Sequence, residues 1–255
     1  MVGKFVHCVF VLNWECHRDR RPAGRAELDA RLFQGRTAFS AGCRHGKPFP
    51  PHSLSKLAHI SILLPAEFVF VVRHGETKAN ENGIEAGPLD FPLAKKGRKE
   101  VEFIAKTLSD AKIKEVYSSP VFRAVQTAKI LARPHSLKVK TLNQLTEAKI
   151  KHEFVGKKGR HHILTDPEDY SETNSDLLAR AWQAFRIVSK SSGNAIMVSH
   201  GDVITALLED IVERKTATEK YYVLHPDPAS LSIIRLGDRP ALVLYNYHRK
   251  MFAGY

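Results

Sequence analysis

Two apolar runs that each lead into a histidine constrain this 255-residue chain more than any other feature. The first run covers residues 68–72, contains three β-branched residues, and is followed two positions later by His74. The second run covers residues 195–199 and is followed directly by His200. Such runs are typical of strands that are buried on both faces of a sheet, and we expect Gly75 to let the chain turn sharply after the first one. Because open α/β sheets bind ligands beyond the carboxyl ends of their strands, both histidines are predicted to lie at one functional edge.

Two arginines accompany the histidines at the same predicted edge. Arg73 directly precedes the first histidine, and Arg123 lies in the segment 118–128, where a short strand is expected to pass into a helix. We expect Ser119 to cap that helix, with Pro120 at its first position. The pattern therefore predicts that two cations and two imidazoles converge on a single site.

The rest of the sequence, from residue 95 onward, alternates between helical and extended periodicity. Amphipathic helices are predicted over residues 95–109, 119–133, 176–189 and 202–212, and strands over residues 113–117, 137–142, 231–236 and 241–247. The last two strands are expected to pair as a hairpin. Alternation of this kind predicts an α/β fold in which a mainly parallel sheet carries helices on both faces.

Four short motifs follow one another at the predicted strand and helix boundaries. They are RHGET at residues 73–77, SSPVFRAVQTA at 118–128, LTE at 145–147 and SHG at 199–201. Each motif alone is a weak signal, but in this order they resemble the histidine phosphatase superfamily, also called phosphoglycerate mutase-like. The resemblance covers about residues 67–247. It implies a three-layer αβα sandwich whose mainly parallel sheet has an antiparallel edge strand.

The resemblance also implies a phosphoryl-transfer site that needs no metal and no other cofactor. His74 would attack phosphorus and carry the phosphoryl group as phosphohistidine, because neutral imidazole is a competent nucleophile near pH 7. Arg73 and Arg123 would bind phosphoryl oxygens bidentately, and His200 would donate a further hydrogen bond. Glu147 would protonate the leaving alkoxide, for which its pKa would have to be raised.

Two further residues match phosphate-side positions of the superfamily pattern. Asn80 matches an asparagine on the phosphate side, and Gly201 matches a backbone or support position. The implied phosphate-binding set is Arg73, Asn80, Arg123, His200 and Gly201. A basic stretch at residues 157–162 lies in the long loop after the acid. Substrate contact and a solvated loop are equally good interpretations of it.

Each assignment also has a purely structural alternative. His74 and His200 could be buried histidines with satisfied hydrogen bonds, although the flanking arginines and the matched strand ends favour the catalytic interpretation. Arg123 could stabilise a helix through a cap or a salt bridge. An isolated glutamate after a strand, such as Glu147, is usually solvated, so its catalytic role depends on the motif.

Two departures from the mutase pattern favour a phosphomonoester hydrolase over a phosphoglycerate mutase-type phosphotransferase. Ala79 stands where the mutases usually carry a tryptophan, and no Arg-Arg pair follows Glu147. Residues 152–156 also replace the superfamily's Gly-x-Trp-Glu-Gly segment, so the pocket shape and the substrate stay open. A non-catalytic module that recognises phosphorylated partners is a third alternative, and the presence of every catalytic residue argues against it.

The composition changes at about residue 66. Residues 1–66 hold ten Lys and Arg against four acidic residues, together with all three cysteines of the chain. Because three cysteines cannot all pair and fit no zinc spacing, we expect a reduced, cytoplasmic protein. Two units are therefore predicted. Residues 1–66 form an N-terminal extension that is poorly ordered or arises from a mis-assigned start, and residues 67–255 form the histidine phosphatase domain.

Charge and hydropathy limit the classes of partner that the protein is expected to bind. No apolar run approaches the roughly 20 residues that span a bilayer, so we expect no membrane partner. The net charge of +12 favours polyanions, but a solvated lysine-rich surface explains it better than nucleic-acid binding. The expected partner is a phosphorylated small-molecule substrate, and a homodimer is left open.

Overall fold

A computed structural model describes residues 68–158, 169–212 and 224–249 of the chain. The predicted extension, residues 1–66, lies outside the described residues, and so do Arg160, His161 and His162 of the basic stretch. The domain boundary at residue 66 therefore stays a prediction.

The described residues alternate between strands and helices in the predicted order. The strands are β1 (Phe68–Arg73), β2 (Ile113–Ser118), β3 (Val139–Thr141), β4 (Asn194–Ser199), β5 (Leu231–Arg235) and β6 (Ala241–Tyr247). The α-helices are α1 (Lys78–Glu81), α2 (Lys95–Thr107), α3 (Phe122–Ala132), α4 (Asn174–Val188) and α5 (Gly201–Ile211). Single 3₁₀ turns cover Arg133–His135, Asn143–Leu145 and His152–Phe154.

The six strands form one sheet in the order β3-β2-β4-β1-β5-β6. Strands β3, β2, β4 and β1 are parallel neighbours, whereas β5 runs antiparallel to β1 and pairs with β6 in the predicted hairpin. The α/β fold prediction is thus confirmed, with a parallel body and an antiparallel hairpin at one edge. The functional edge is set by the parallel body, because its four strands end on the same side.

The two faces of the sheet bury two separate cores. Along β1, residues Phe68, Phe70 and Val72 pack on one face with helices α2 and α3. Val69 and Val71 pack on the other face with helices α4 and α5. Successive side chains of a strand point to opposite faces, so an uninterrupted apolar run is what a strand covered on both sides requires. Each fully buried aliphatic side chain contributes about 1.5–3 kcal/mol to folding.

Two local expectations need correction. Helix α3 begins at Phe122, two residues later than expected, with Val121 and not Ser119 at the N-cap position. The Ser119 hydroxyl accepts a hydrogen bond from the Val121 N–H at 3.3 Å and also lies 2.8 Å from Nε2 of His200. Gly75 does not adopt a positive φ. It is needed for close packing, because a Cβ there would lie 2.7 Å from Cγ2 of Val101 on helix α2.

No helix within the described part of the chain is both long enough and apolar enough to cross a membrane.

Candidate active site

The carboxyl ends of β1, β2 and β4 bring the predicted site residues together. The His74 N–H donates to the Ser199 carbonyl at 2.9 Å, and the Ser119 N–H donates to the Val198 carbonyl at 3.0 Å. The loops after the three strands are therefore held side by side. The rings of His74 and His200 meet edge to face with centroids 5.1 Å apart.

His74 is held in one tautomer. Its Nδ1 lies 2.9 Å from the Gly75 carbonyl oxygen, and a carbonyl can only accept, so Nδ1 carries the proton. The lone pair is therefore on Nε2. Burial, followed by the charges of Arg123 and Arg73, holds the pKa of His74 well below its ordinary value of 6.5, against a smaller opposing effect of Gly75. The imidazole is neutral and nucleophilic at neutral pH.

Arg123 is buried against the histidine. It lies in the first turn of α3, and its Nε donates to Nε2 of His74 at 3.3 Å. Its two terminal nitrogens donate to the carbonyls of Leu89 and Gly87 at 3.1 and 3.0 Å. The guanidinium is thus fixed between helix α3 and the loop that precedes α2, with only 2% of the residue exposed. This geometry makes it a fixed positive charge beside the nucleophilic nitrogen.

Arg73 is held from the opposite side by a segment that follows α5. Its Nη1 lies 2.9 Å from Nε2 of His225 and donates to the Pro226 carbonyl at 2.6 Å. Its Nε is buried and has no hydrogen-bond partner within the described residues. Such a donor suits an oxygen of a bound anion. Gly201 permits this packing, because a Cβ there would lie 2.7 Å from the His225 ring and 3.2 Å from Cζ of Arg73.

His200 is completely buried at the start of helix α5. Its Nε2 lies 2.8 Å from the Ser119 hydroxyl. Its Nδ1 has no hydrogen-bond partner within the described residues and lies 3.6 Å from a carboxylate oxygen of Glu147. Burial, followed by the charges of Arg123 and the other basic groups, lowers the pKa of His200 well below 6.5. The positive end of the α5 dipole lies at the same point and also favours an anion.

Glu147 lies after the 3₁₀ turn Asn143–Leu145 and reaches back toward the two histidines. One carboxylate oxygen accepts a hydrogen bond from the Ala148 N–H at 3.0 Å. Burial raises the pKa of Glu147 above its ordinary value of 4.5, although Arg123 and Arg73 act in the opposite direction. The carboxyl group can therefore keep its proton at a higher pH than an exposed glutamate.

Asn80 lies in the short helix α1, after the RHGET segment. Its amide oxygen accepts hydrogen bonds from the Thr77 N–H at 3.1 Å and from the Thr77 hydroxyl at 2.8 Å. The Thr77 hydroxyl in turn accepts from the Asn80 N–H, which completes a capping box. Because its oxygen is engaged, Asn80 has the amide NH₂ group to offer to a phosphate. Its phosphate-binding role stays a prediction.

Sequence reasoning missed several residues that build the site. Thr127 accepts a hydrogen bond from the Gly75 N–H at 3.0 Å and so ties helix α3 to the histidine loop. Burial and then the charge of Glu147 raise the pKa of Asp202 well above its ordinary value of 3.8. Thr127 and Asp202 lie within or beside recognised motifs, which was a usable signal. His225 and Arg180 lie in segments with no motif and could be found only from the fold.

The same side chains could in principle hold a metal ion. Ligand atoms of His74, Glu147 and His200 lie within 4.8 Å of one another, and two imidazoles with a carboxylate are a donor set that zinc accepts. The guanidinium groups of Arg73 and Arg123 lower the pKa of both histidines. The same positive charge opposes a bound cation and favours an anion. The arrangement is therefore best suited to a phosphoryl group, because it places a neutral imidazole, two guanidinium groups and a carboxyl group with a raised pKa around one point.

Comparison with known proteins identifies the class to which this fold and site belong. Residues 69–248 match the sequence profile of the histidine phosphatase superfamily (branch 1). Because the match covers more than half of the chain, the protein belongs to this superfamily. It is accordingly an enzyme of the phosphatase or phosphoglycerate mutase type.

Particular relatives include members of both types. The chain is 28% identical over 181 residues to the 2,3-bisphosphoglycerate-dependent phosphoglycerate mutase of Thermoplasma acidophilum, covering 66% of this chain and 86% of the relative. It is 27% identical over 164 residues to the adenosylcobalamin/alpha-ribazole phosphatase of Escherichia coli, covering 56% and 78%. The solved mycobacterial glucosyl-3-phosphoglycerate phosphatase, a complex with VO3, has the same fold, with a TM-score of 0.61 and 23% identity. That comparison covers 71% of this chain and 99% of the solved one.

Proposed function

We propose that the protein is a metal-independent phosphomonoester hydrolase that acts through a phosphohistidine on His74. The observation that carries the proposal is the state of this residue. Its Nδ1 proton is committed to the Gly75 carbonyl, so its lone pair is on Nε2, which accepts only a long hydrogen bond from Nε of Arg123 at 3.3 Å. A neutral nucleophile beside fixed positive charge is what attack on a phosphate dianion requires.

The reaction then has two halves. In the first, Nε2 of His74 attacks phosphorus, the bond to the leaving oxygen breaks, and Glu147 gives that oxygen its proton. In the second, water attacks phosphorus, Glu147 takes a proton from the water, and the phosphorus–nitrogen bond breaks to release phosphate. Arg73 and Arg123 bind the transferred oxygens throughout, and the raised pKa of Glu147 lets it begin as an acid.

The choice of hydrolase over mutase rests on two places where this chain departs from the mutase pattern. Ala79, at the position where the mutases carry a tryptophan, is completely buried, so an indole there would need a different local packing. The His152–Phe154 turn occupies the segment where Gly-x-Trp-Glu-Gly was absent from the sequence. Relatives of both types match this chain, so transfer to water rather than to a second hydroxyl is part of the proposal. The substrate class is a phosphorylated small molecule.

Radiolabelling tests the covalent step. Wild-type enzyme mixed with a ³²P-labelled phosphomonoester and denatured at once should retain label that survives alkali and is lost in acid, as phosphohistidine is. The His74→Ala variant should retain none and should release no p-nitrophenol from p-nitrophenyl phosphate. Full turnover by folded His74→Ala would refute the proposal.

Two further experiments distinguish the proposed mechanism from a metal-dependent enzyme, a mutase and a binding module. Activity should survive EDTA, and a loss that zinc or magnesium restores would refute the metal-independent mechanism. With 3-phosphoglycerate present as acceptor, the label should appear in inorganic phosphate. Label recovered mainly in a second phosphoester would instead identify a mutase, and vanadate binding without any turnover would identify a binding module.

A further inference from the structure

Arg180, on helix α4, uses three of its N–H donors on the segment that carries Glu147 and the other two on Glu172. Its Nε and Nη2 donate to the two carboxylate oxygens of Glu172 at 2.6 and 2.8 Å. Its Nη1 donates to the carbonyls of Gln144 and Thr146 at 2.8 and 2.5 Å. Its Nη2 also donates to the Glu147 carbonyl at 3.1 Å. A guanidinium has five N–H donors in a fixed fork, so all of them are engaged here.

Two further bonds hold the same segment. The Ser199 hydroxyl, at the end of β4, donates to the Leu145 carbonyl at 2.8 Å. The Glu172 carboxylate accepts from the Lys149 N–H at 3.3 Å. The main chain of residues 144–149 includes one end of a 3₁₀ turn and no strand. Main-chain groups of this segment are therefore hydrogen-bonded by side chains of α4, β4 and Glu172, and not by a neighbouring strand.

The Arg180–Glu172 pair is shielded from water. The side chains are only 14% and 6% exposed, and the contact is bidentate, which is the strongest geometry for such a pair. Burial raises the pKa of Glu172, but the hydrogen bonds and charge of Arg180 outweigh it and leave the pKa below its ordinary value. Glu172 is therefore a carboxylate at neutral pH, and it fixes the plane of the guanidinium against the segment.

We propose that Arg180, paired with Glu172, is a positioning residue for the catalytic acid. It holds the main chain of residues 144–147 so that the Glu147 carboxyl group can protonate the leaving oxygen. The inference rests on the proposed phosphatase function. Because its donors are all engaged by Glu172 and by this segment, Arg180 acts through Glu147 and not by contact with the phosphoryl group.

A dependence on the leaving group follows. An alkoxide leaves only when a proton is supplied, and a positioned general acid contributes roughly 10²–10⁴-fold to such a step. The p-nitrophenolate ion is stable without that proton. A misplaced Glu147 should therefore slow alkyl phosphates far more than p-nitrophenyl phosphate, and the binding of the phosphoryl group should change little.

The test compares Arg180→Lys with wild type on p-nitrophenyl phosphate and on β-glycerophosphate, an alkyl ester. Lysine keeps the charge but cannot reproduce the five-donor fork. We expect kcat/KM, which reports only the steps up to departure of the leaving group, to fall on the order of 10–100-fold for β-glycerophosphate. For p-nitrophenyl phosphate, kcat/KM should stay close to wild type. Arg186→Lys is the matched control, because Arg186 lies exposed on the same helix. Its replacement should leave the activity on both substrates unchanged.

A second comparison uses Glu147→Gln as background. Once the acid is absent, adding Arg180→Lys should cause no further selective loss on the alkyl ester. If the two substitutions lowered kcat/KM for the alkyl ester independently, so that their effects multiplied, the inference would be overturned. An equal fall in kcat/KM for the two substrates would also overturn it. If Arg180→Lys does not fold, Glu172→Gln replaces it with the same expectation, because it keeps the shape but removes the charge.

Different results would overturn the proposed phosphatase function and the proposed role of Arg180. A wild-type enzyme that hydrolyses neither ester overturns the proposed function and this inference with it. A leaving-group effect in Glu147→Gln that is missing from both Arg180→Lys and Glu172→Gln overturns only the role of Arg180.

Discussion

The Nε atom of Arg123 lies 3.3 Å from Nε2 of His74, the ring nitrogen that carries no proton. In this arrangement a fixed cation donates to the proposed nucleophile. The weak, long contact is one that an arriving phosphoryl oxygen can replace, because an ionised acceptor makes a stronger bond to a guanidinium than a neutral nitrogen does. The same arginine would then serve the free enzyme as an anchor for His74 and the complex as an anion-binding group.

Replacing Arg123 with lysine tests this dual role. A point charge on a flexible stem cannot bind Leu89, Gly87 and a phosphoryl group together. We expect kcat/KM for p-nitrophenyl phosphate to fall about 100-fold, in the range found when one preorganised donor is lost. Arg133→Lys, at an exposed position just after the same helix, is the control and should be silent. A silent Arg123→Lys would mean that Arg123 does not contact the phosphoryl group.

The pH profile tests the states of His74 and Glu147. A lowered pKa keeps His74 neutral below pH 6.5, and a raised pKa keeps Glu147 protonated above pH 4.5. For an alkyl phosphate, kcat/KM should therefore persist below pH 6.5, because His74 stays neutral there. It should decline as the pH rises through the raised pKa of Glu147, at a pH above 4.5.

The control for this profile is Glu147→Gln. The variant should have lower activity on the alkyl ester and should lack the decline at higher pH. The ionisation of the substrate itself, at about pH 6, affects both enzymes alike. An unchanged alkaline limb in Glu147→Gln would assign that limb to another group.

Thr127→Val should loosen the histidine loop. The change keeps the shape of the side chain but leaves the buried Gly75 N–H without its acceptor, which costs about 1–3 kcal/mol. We expect a lower free energy of unfolding in urea and a reduced kcat. Thr141→Val is the control, because Thr141 lies exposed on the edge strand β3. Equal effects of the two substitutions would show that the hydrogen bond between Thr127 and Gly75 does not hold the histidine loop.

Gly97→Ala should destabilise the fold although alanine favours helices. A Cβ at position 97 would lie 2.2 Å from the Glu76 carbonyl oxygen, which is main chain and cannot move aside cheaply. The expected loss is about 1–3 kcal/mol in thermal or urea unfolding. Gly193→Ala is the control, because its new methyl group would meet only the flexible Lys114 side chain. A Gly97→Ala variant as stable as wild type would show that α2 can shift away from the motif.

The sequence predicted the parts of the site that are local. The buried runs became β1 and β4, and the motif residues followed their strands, because periodicity and strand ends are encoded within a few neighbouring positions. The serine–proline pair predicted a helix start two residues too early. The contact between Ser119 and His200 was not predicted, because His200 follows another strand. Arg180 and His225 were missed for the same reason. Their partners lie far away in sequence, and only the sheet order brings them together.

The position of β1 in the sheet has a consequence for protein synthesis. Both of its neighbours, β4 and β5, come later in the chain, and the anchor of Arg73 at His225 also lies beyond β4. A nascent chain exposes the histidine motif early but has no sheet in which to place it until the last strands leave the ribosome. Pairing of this non-local kind is slow and leaves apolar strands uncovered in the meantime. A chain that stalls before β5 therefore carries His74 without the strand and the arginine anchor that complete its surroundings, and leaves one edge of β1 unpaired.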